Sequence, residues 1–230
     1  SDIRNAAFLR SMLIPLRPGE LQRLIPAVAT GTQFAAALGD PRKILQRVLI
    51  AAIGGVITLL ISQMQFSSGW GSIWLIIAVA FLLYVLWGPI LEASRRNATL
   101  RRYPSAALFD GEVVDAFTQE RVESRREQAN ERGTLELVEN RRTWMVLELA
   151  DEDGYLARLS FPMLKPHGQI RPGTPVRCLV LSDRKDFSRV ASISDAWLPT
   201  LRLWVGEYPF LLRPAFEELC QMRLASRRGR

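Results

Sequence analysis

The chain has 230 residues with 30 Lys and Arg, 23 Asp and Glu and one His, giving a net charge of +7. It has two cysteines, and a pI near 10.1 that in a soluble protein would raise nucleic acid as a partner. No zinc spacing or base-stacking motif accompanies the charge, so nucleic-acid binding is excluded from the expectation.

Residues 1–43 read as a polar-to-amphipathic lead. The first 20 residues have no basic–apolar–small cleavage pattern, so no signal peptide is expected. Pro18-Gly19-Glu20 opens a helical pattern whose apolar stripe is Leu21, Leu24, Ile25 and Val28. This helix either packs on the protein's own domain or lies in a membrane surface. Asp40-Pro41 is a helix start, with Asp as cap and Pro at the first position.

From Val48 to Leu91 there are 44 residues without a charge. A span needs about 20 apolar residues, because a helix rises ~1.5 Å per residue against ~30 Å of hydrocarbon. Residues 44–91 therefore read as a transmembrane hairpin, Ile44–Met64 and Ser72–Ile90, split by the polar turn Gln63–Gly71. A hairpin buried inside a soluble protein is the lesser alternative, since so short a chain has little to surround it with. Basic residues flank both ends: Arg42, Lys43 and Arg47 before, Arg95, Arg96, Arg101 and Arg102 after. Such flanks stay cytoplasmic, so both termini are expected there, with anionic lipid headgroups as partners. Ala51 with Gly55, and Gly54 with Thr58, stand four apart and permit close helix approach. Their partner is the second helix of the hairpin or, less favoured, another protein.

Residues 107–200 read as a cytoplasmic all-β domain, giving an α+β chain overall. Short apolar runs at Gly111–Phe117, Thr134–Val138, Thr143–Leu149, Tyr155–Phe161, Pro175–Leu181 and Arg189–Ser194 suggest a small barrel. Gln119–Arg132 is expected as an exposed loop or frayed strand extension. Asp151-Glu152-Asp153-Gly154 is read as a wet hairpin turn rather than a cation site. Residues 201–230 supply a closing helix from Pro214, acidic early and basic late, and a basic tail.

Catalytic chemistry is missing. His167 sits in a Pro-His-Gly turn and is expected to be solvated, and Cys178 is expected in the core. No nucleophile elbow, phosphate loop, dinucleotide fingerprint or zinc pair occurs, so no enzyme, cofactor or metal is expected.

Several stretches together carry a resemblance: Ala29-Thr30-Gly31-Thr32-Gln33-Phe34, Leu86-Trp87-Gly88-Pro89, Val138-Glu139-Asn140-Arg141-Arg142, Ile170-Arg171-Pro172-Gly173, Leu181-Ser182-Asp183-Arg184 and Leu203-Trp204-Val205-Gly206-Glu207-Tyr208-Pro209. From about Leu13 to Glu218 the chain resembles an uncharacterised family of two-span cyanobacterial proteins. Some of these are labelled phosphate ABC transporter permeases. The permease label conflicts with two uncharged helices, which cannot enclose a path alone. The resemblance implies a photosynthetic, thylakoid or cytoplasmic, membrane. The expected function is a non-enzymatic accessory or assembly protein of a membrane complex such as a photosystem. The alternatives are an accessory subunit of a transporter and a membrane-tethered ligand-binding module.

Overall fold

The computed structural model describes residues 13–39, 41–66, 69–129, 135–150, 157–187 and 189–228. It divides into two units, one of Ser1–Leu24 with Tyr103–Arg230 and one of Ile25–Arg102. The lead read over residues 1–43 is divided between them at Leu24, and the closing helix groups with the sheet.

The sheet unit is built around β2 (Ser105–Ala129). Its first half pairs antiparallel with β5 (Pro175–Ser182) on one side and with the two-residue β1 (Ile14–Pro15) on the other. Its second half pairs with β3 (Leu135–Ala150). Strands β4 (Ala157–Pro162), β6 (Ser192–Leu198) and β7 (Leu203–Val205) complete the order β4-β3-β2-β5-β6-β7. The change of partner along β2 falls at Gly111. A Cβ there would lie 2.4 Å from the Ala150 carbonyl oxygen and 2.7 Å from the Phe109 ring. A bulge follows between Val113 and Asp115, which bends the strand.

Bent in this way, the sheet curls into a half-barrel. Its inner residues form one apolar core that includes Phe109, Leu147, Leu149, Phe161, Val180 and Leu198. The expected barrel does not close: β4 and β7 remain the two ends of the sheet, and β7 is three residues long. Of the two readings of Gln119–Arg132, the strand extension holds as far as Ala129, from Gln119 opposite Trp144 to Ala129 opposite Leu135. The two runs Thr134–Val138 and Thr143–Leu149 are accordingly one strand. Arg121 lies over the Trp144 ring at 4.5 Å, and Arg142 pairs with Glu123 at 3.1 Å. The turn Asp151–Gly154 lies outside the described residues, as does Asp40. The strands flanking that turn pair as expected, with Leu147 opposite Leu159.

Helix α1 (Glu20–Leu24) is only five residues and buries Leu21 and Leu24. Ile25 is buried as well, but the stripe stops before Val28, which is 67 % exposed. Glu20 receives both contacts of the Arg223 guanidinium at 2.8 Å. Arg223 lies on the closing helix Arg213–Arg228, which buries Phe216, Leu219 and Cys220 at spacings of three and four. That arrangement is the own-domain reading of the lead rather than a membrane-surface helix.

In the helical unit, α2 (Gly31–Leu38) opens with a capping box between Thr30 and Gln33. Gln33 is buried and its Oε1 also accepts a bond from Asn97 at 2.8 Å. Helix α3 (Pro41–Met64) starts with Pro at its first position and is 24 residues long. The expected second span is broken: α4 (Gly71–Leu82) and α5 (Tyr84–Arg101) meet at a bend of 71°. At the break the Ala80 carbonyl takes the Trp87 indole N–H as a donor, at 2.8 Å. Pro89, without an N–H, removes a further intrahelical bond one turn on. Among the described residues, only α3 is by itself long and apolar enough to cross a membrane.

Candidate functional site

The small residues of α3 face α4. A Cβ on Gly54 would lie 2.4 Å from the Phe81 ring, and one on Gly55 would lie 2.7 Å from Leu82 Cδ2. Glycine therefore lets the two helices approach more closely than any larger residue would. Ala51 and Thr58 are buried on the same face. The Thr58 hydroxyl donates to the Gly54 carbonyl at 2.6 Å, so it is satisfied within its own helix. The far end of the pair is joined by Ser62, which donates to the Gly71 carbonyl at 2.8 Å. All four residues thus lie on an intramolecular seam.

The rest of the helical surface is apolar and uncovered. Ile53, Ile57 and Leu60 of α3 are more than half exposed, as is Ile76 of α4; Leu75 and Val79 are nearly so. Only 22 % of the apolar stretch of α3 is buried.

The charge-free stretch ends in an ion cluster. Arg47, the last charge before it, donates to Glu92, the first charge after it, at 2.6 Å. Arg47 is 6 % exposed and also donates to the Ala37 carbonyl at 3.2 Å. Lys43 and Arg96 bond the other Glu92 oxygen at 3.1 and 3.0 Å. One carboxylate thus sits among three cations. The sequence reading used these residues only as flanks; the apolar gap bounded by one Arg and one Glu was the signal for a pair.

The expected solvated His167 is instead buried at 6 % exposure, in the 3-10 turn Lys165–Gln169. Its Nδ1 accepts from the Leu164 amide at 3.1 Å, and its ring stands edge-on to Phe161. Burial holds it below the usual histidine range. The Pro-His-Gly turn folds back over the sheet, so the imidazole packs where a surface turn would leave it wet. Both thiols are inert: burial raises Cys178, and pushes Cys220 up to about 12.

Sequence reasoning missed Asp195, an acid among the apolar residues of β6. It is 4 % exposed, and its Oδ1 accepts from the Leu211 amide at 3.0 Å. Oδ2 is buried without a hydrogen-bond partner. Burial pushes the carboxyl up to about 7, against the pull of backbone amides and Arg213. Gly206 makes the approach possible, with φ +156° and a notional Cβ 2.8 Å from Asp195 Cβ. A cleft of about 460 Å³ lies alongside, between β4 and β6, lined by residues that include Arg158, Ser160, Ser192, Asp195 and Tyr208. The carboxyl ties the segment after β7 to the sheet.

Among the described residues no group of three or more His, Cys, Asp or Glu could hold a metal ion. The arrangement defines an α+β protein with a half-barrel sheet and an apolar helical unit. The chain belongs to DUF8619, a family of unknown function, whose signature covers residues 14–226. No curated protein and no solved structure matches it.

Proposed function

We propose that this chain is a non-enzymatic accessory or assembly protein, held in a membrane by its helical unit and offering its sheet unit to a protein partner on the cytoplasmic side. The observation that carries this reading is the exposed apolar surface of α3 and α4, from Leu45 and Ile53 to Ile76 and Val79. Apolar surface left in water is unfavourable by about 25 cal/mol per Å², and contiguous patches of this kind mark membrane or protein contact. In this reading α3 crosses the bilayer. At ~1.5 Å per residue, the 12 residues of α4 are too short to return alone and are completed by the first turns of α5. Basic residues on both flanks favour a cytoplasmic side for both ends in this reading.

The seam role of Ala51, Gly54, Gly55 and Thr58 turns the partner surface to the opposite side of α3, at Ile53, Ile57 and Leu60. The family resemblance supports a photosynthetic complex as the partner, and nothing in the geometry favours a transporter over it. The test is mild-detergent extraction followed by identification of the co-migrating complex. Ile53→Ser with Ile57→Ser should release the chain from that complex. A photosystem or related chlorophyll protein supports the reading; a transporter, or migration as a free protein, contradicts it.

A further inference from the structure

We infer that the helical unit carries a built binding site for the phosphate of an anionic phospholipid, between α3 and α5; the inference rests on the membrane reading above. The cleft there has a volume of about 420 Å³ and is lined by Arg47, Tyr84, Glu92, Arg95, Arg96 and Thr99, among others. Its charge is unbalanced. Glu92, shared by Lys43, Arg47 and Arg96, is the one carboxylate in a lining that also holds Arg95. A phosphodiester would complete this set, because guanidinium groups bind its oxygens with charge-assisted bonds.

The Arg47 guanidinium is already fixed by Glu92 and the Ala37 carbonyl, so part of the ordering cost is met before any ligand arrives. Gly88 lets the Tyr84 ring lie against the helix, since a Cβ there would be 3.2 Å from the ring. The Trp87 ring holds Tyr84 from the other direction at 4.8 Å, edge-on. That leaves the phenol lining the same cleft as Arg95.

The rim selects a lipid over a free anion. Leu91 is itself part of the lining, and Leu86, Trp87, Ile90 and Leu91 are all exposed on α5 just before Glu92. A headgroup in the cleft therefore has an uncovered apolar surface for its acyl chains, starting where the charges stop. Free phosphate gains nothing from that surface.

The test reconstitutes the full chain in vesicles of phosphatidylcholine alone and of phosphatidylcholine with phosphatidylglycerol. The lipids kept after extraction are then counted by native mass spectrometry. Phosphatidylglycerol should be retained in excess over its share of the vesicle. Arg95→Gln with Tyr84→Phe should reduce that excess about fivefold or more, at about fivefold per basic group near an anionic lipid. Arg158→Gln, on the sheet unit, should leave it unchanged. Glu92→Gln should raise it, a change of opposite sign that misfolding would not produce. Added inorganic phosphate should leave the lipid ratio unaltered. Equal retention of both lipids, an excess untouched by the Arg95 and Tyr84 changes, or displacement by inorganic phosphate would each overturn the inference. Failure to insert into phosphatidylcholine vesicles would overturn the membrane reading itself, and is read separately.

Discussion

Asp195 and His167 are single side chains with opposite effects on pH stability. The Asp195 carboxyl is raised from 3.8 to about 7 by burial. Between those values the folded chain holds a proton that the unfolded chain has lost. Stability from this group is therefore highest at low pH and falls as pH rises towards 7, with a slope approaching ~1.4 kcal/mol per pH unit. His167 is lowered, so the unfolded chain takes up a proton first as pH drops below 6.5, and stability is lost in that direction. Denaturant unfolding from pH 4.5 to 8 should separate them. Asp195→Asn should abolish the decline towards pH 7, and His167→Gln should abolish the loss on acidification. An unchanged profile in either variant contradicts the corresponding assignment. Gly54 is a third residue with a defined cost. Gly54→Ala drives a methyl into the Phe81 ring and should destabilise the helical unit by about 1–3 kcal/mol. Adding Phe81→Ala should recover part of that loss, read as a coupling in a double-mutant cycle.

Elements differ in how much of them a sequence can reveal. Helix α3 was legible because the lack of charge and the Pro41 start are local signals. The second half of β3 and strands β4 and β5 were legible because alternation and turn residues are local too, and Leu147 opposite Leu159 follows from them, whereas β6, expected over Arg189–Ser194, runs Ser192–Leu198. The break at Leu83 was not. No turn residue marks it, and the Ala80 carbonyl is satisfied by an indole seven residues away. Ribbon pairing beyond Gln119 was hidden for another reason. Its strands are charged on both faces, so the period of two carries no apolar signal. Barrel closure depends on whether β4 meets β7 in space, which composition does not encode. The ribbon offers a test. The core residues of β2 and β3 stop at Val113 and Met145. Joining Glu120 to Thr143, which lie opposite each other, through Asn-Gly should leave cooperative unfolding of the sheet unit intact. The loss should be about 1 kcal/mol or less, the scale of the Arg121–Trp144 contact. Collapse to a non-cooperative transition would show the ribbon to be part of the core.

At the scale of the whole molecule, the two units differ in where their large apolar residues lie. The sheet unit buries Phe109, Leu147, Phe161 and Leu198 completely. The helical unit turns Ile57, Leu60 and Ile76 outward instead. Of the candidate site, the sequence made the small residues of α3 visible but left the surface they serve undecided, because spacing shows a packing face and not its occupant. The ion cluster around Glu92 was invisible as a cluster, since 44 uncharged residues separate Lys43 and Arg47 from Glu92 and Arg96.

The central claim is that the outward apolar face of the helical unit lies in hydrocarbon. Nitroxide labels on Ile57→Cys and Ile76→Cys, in the full chain reconstituted in lipid vesicles, measure it directly by paramagnetic relaxation. The buried Cys178 and Cys220 are controlled for by the unsubstituted chain. Both labels should be relaxed strongly by oxygen, which concentrates in the bilayer, and weakly by a water-soluble nickel chelate. Strong relaxation by the chelate at both positions would place this face in water and contradict the account.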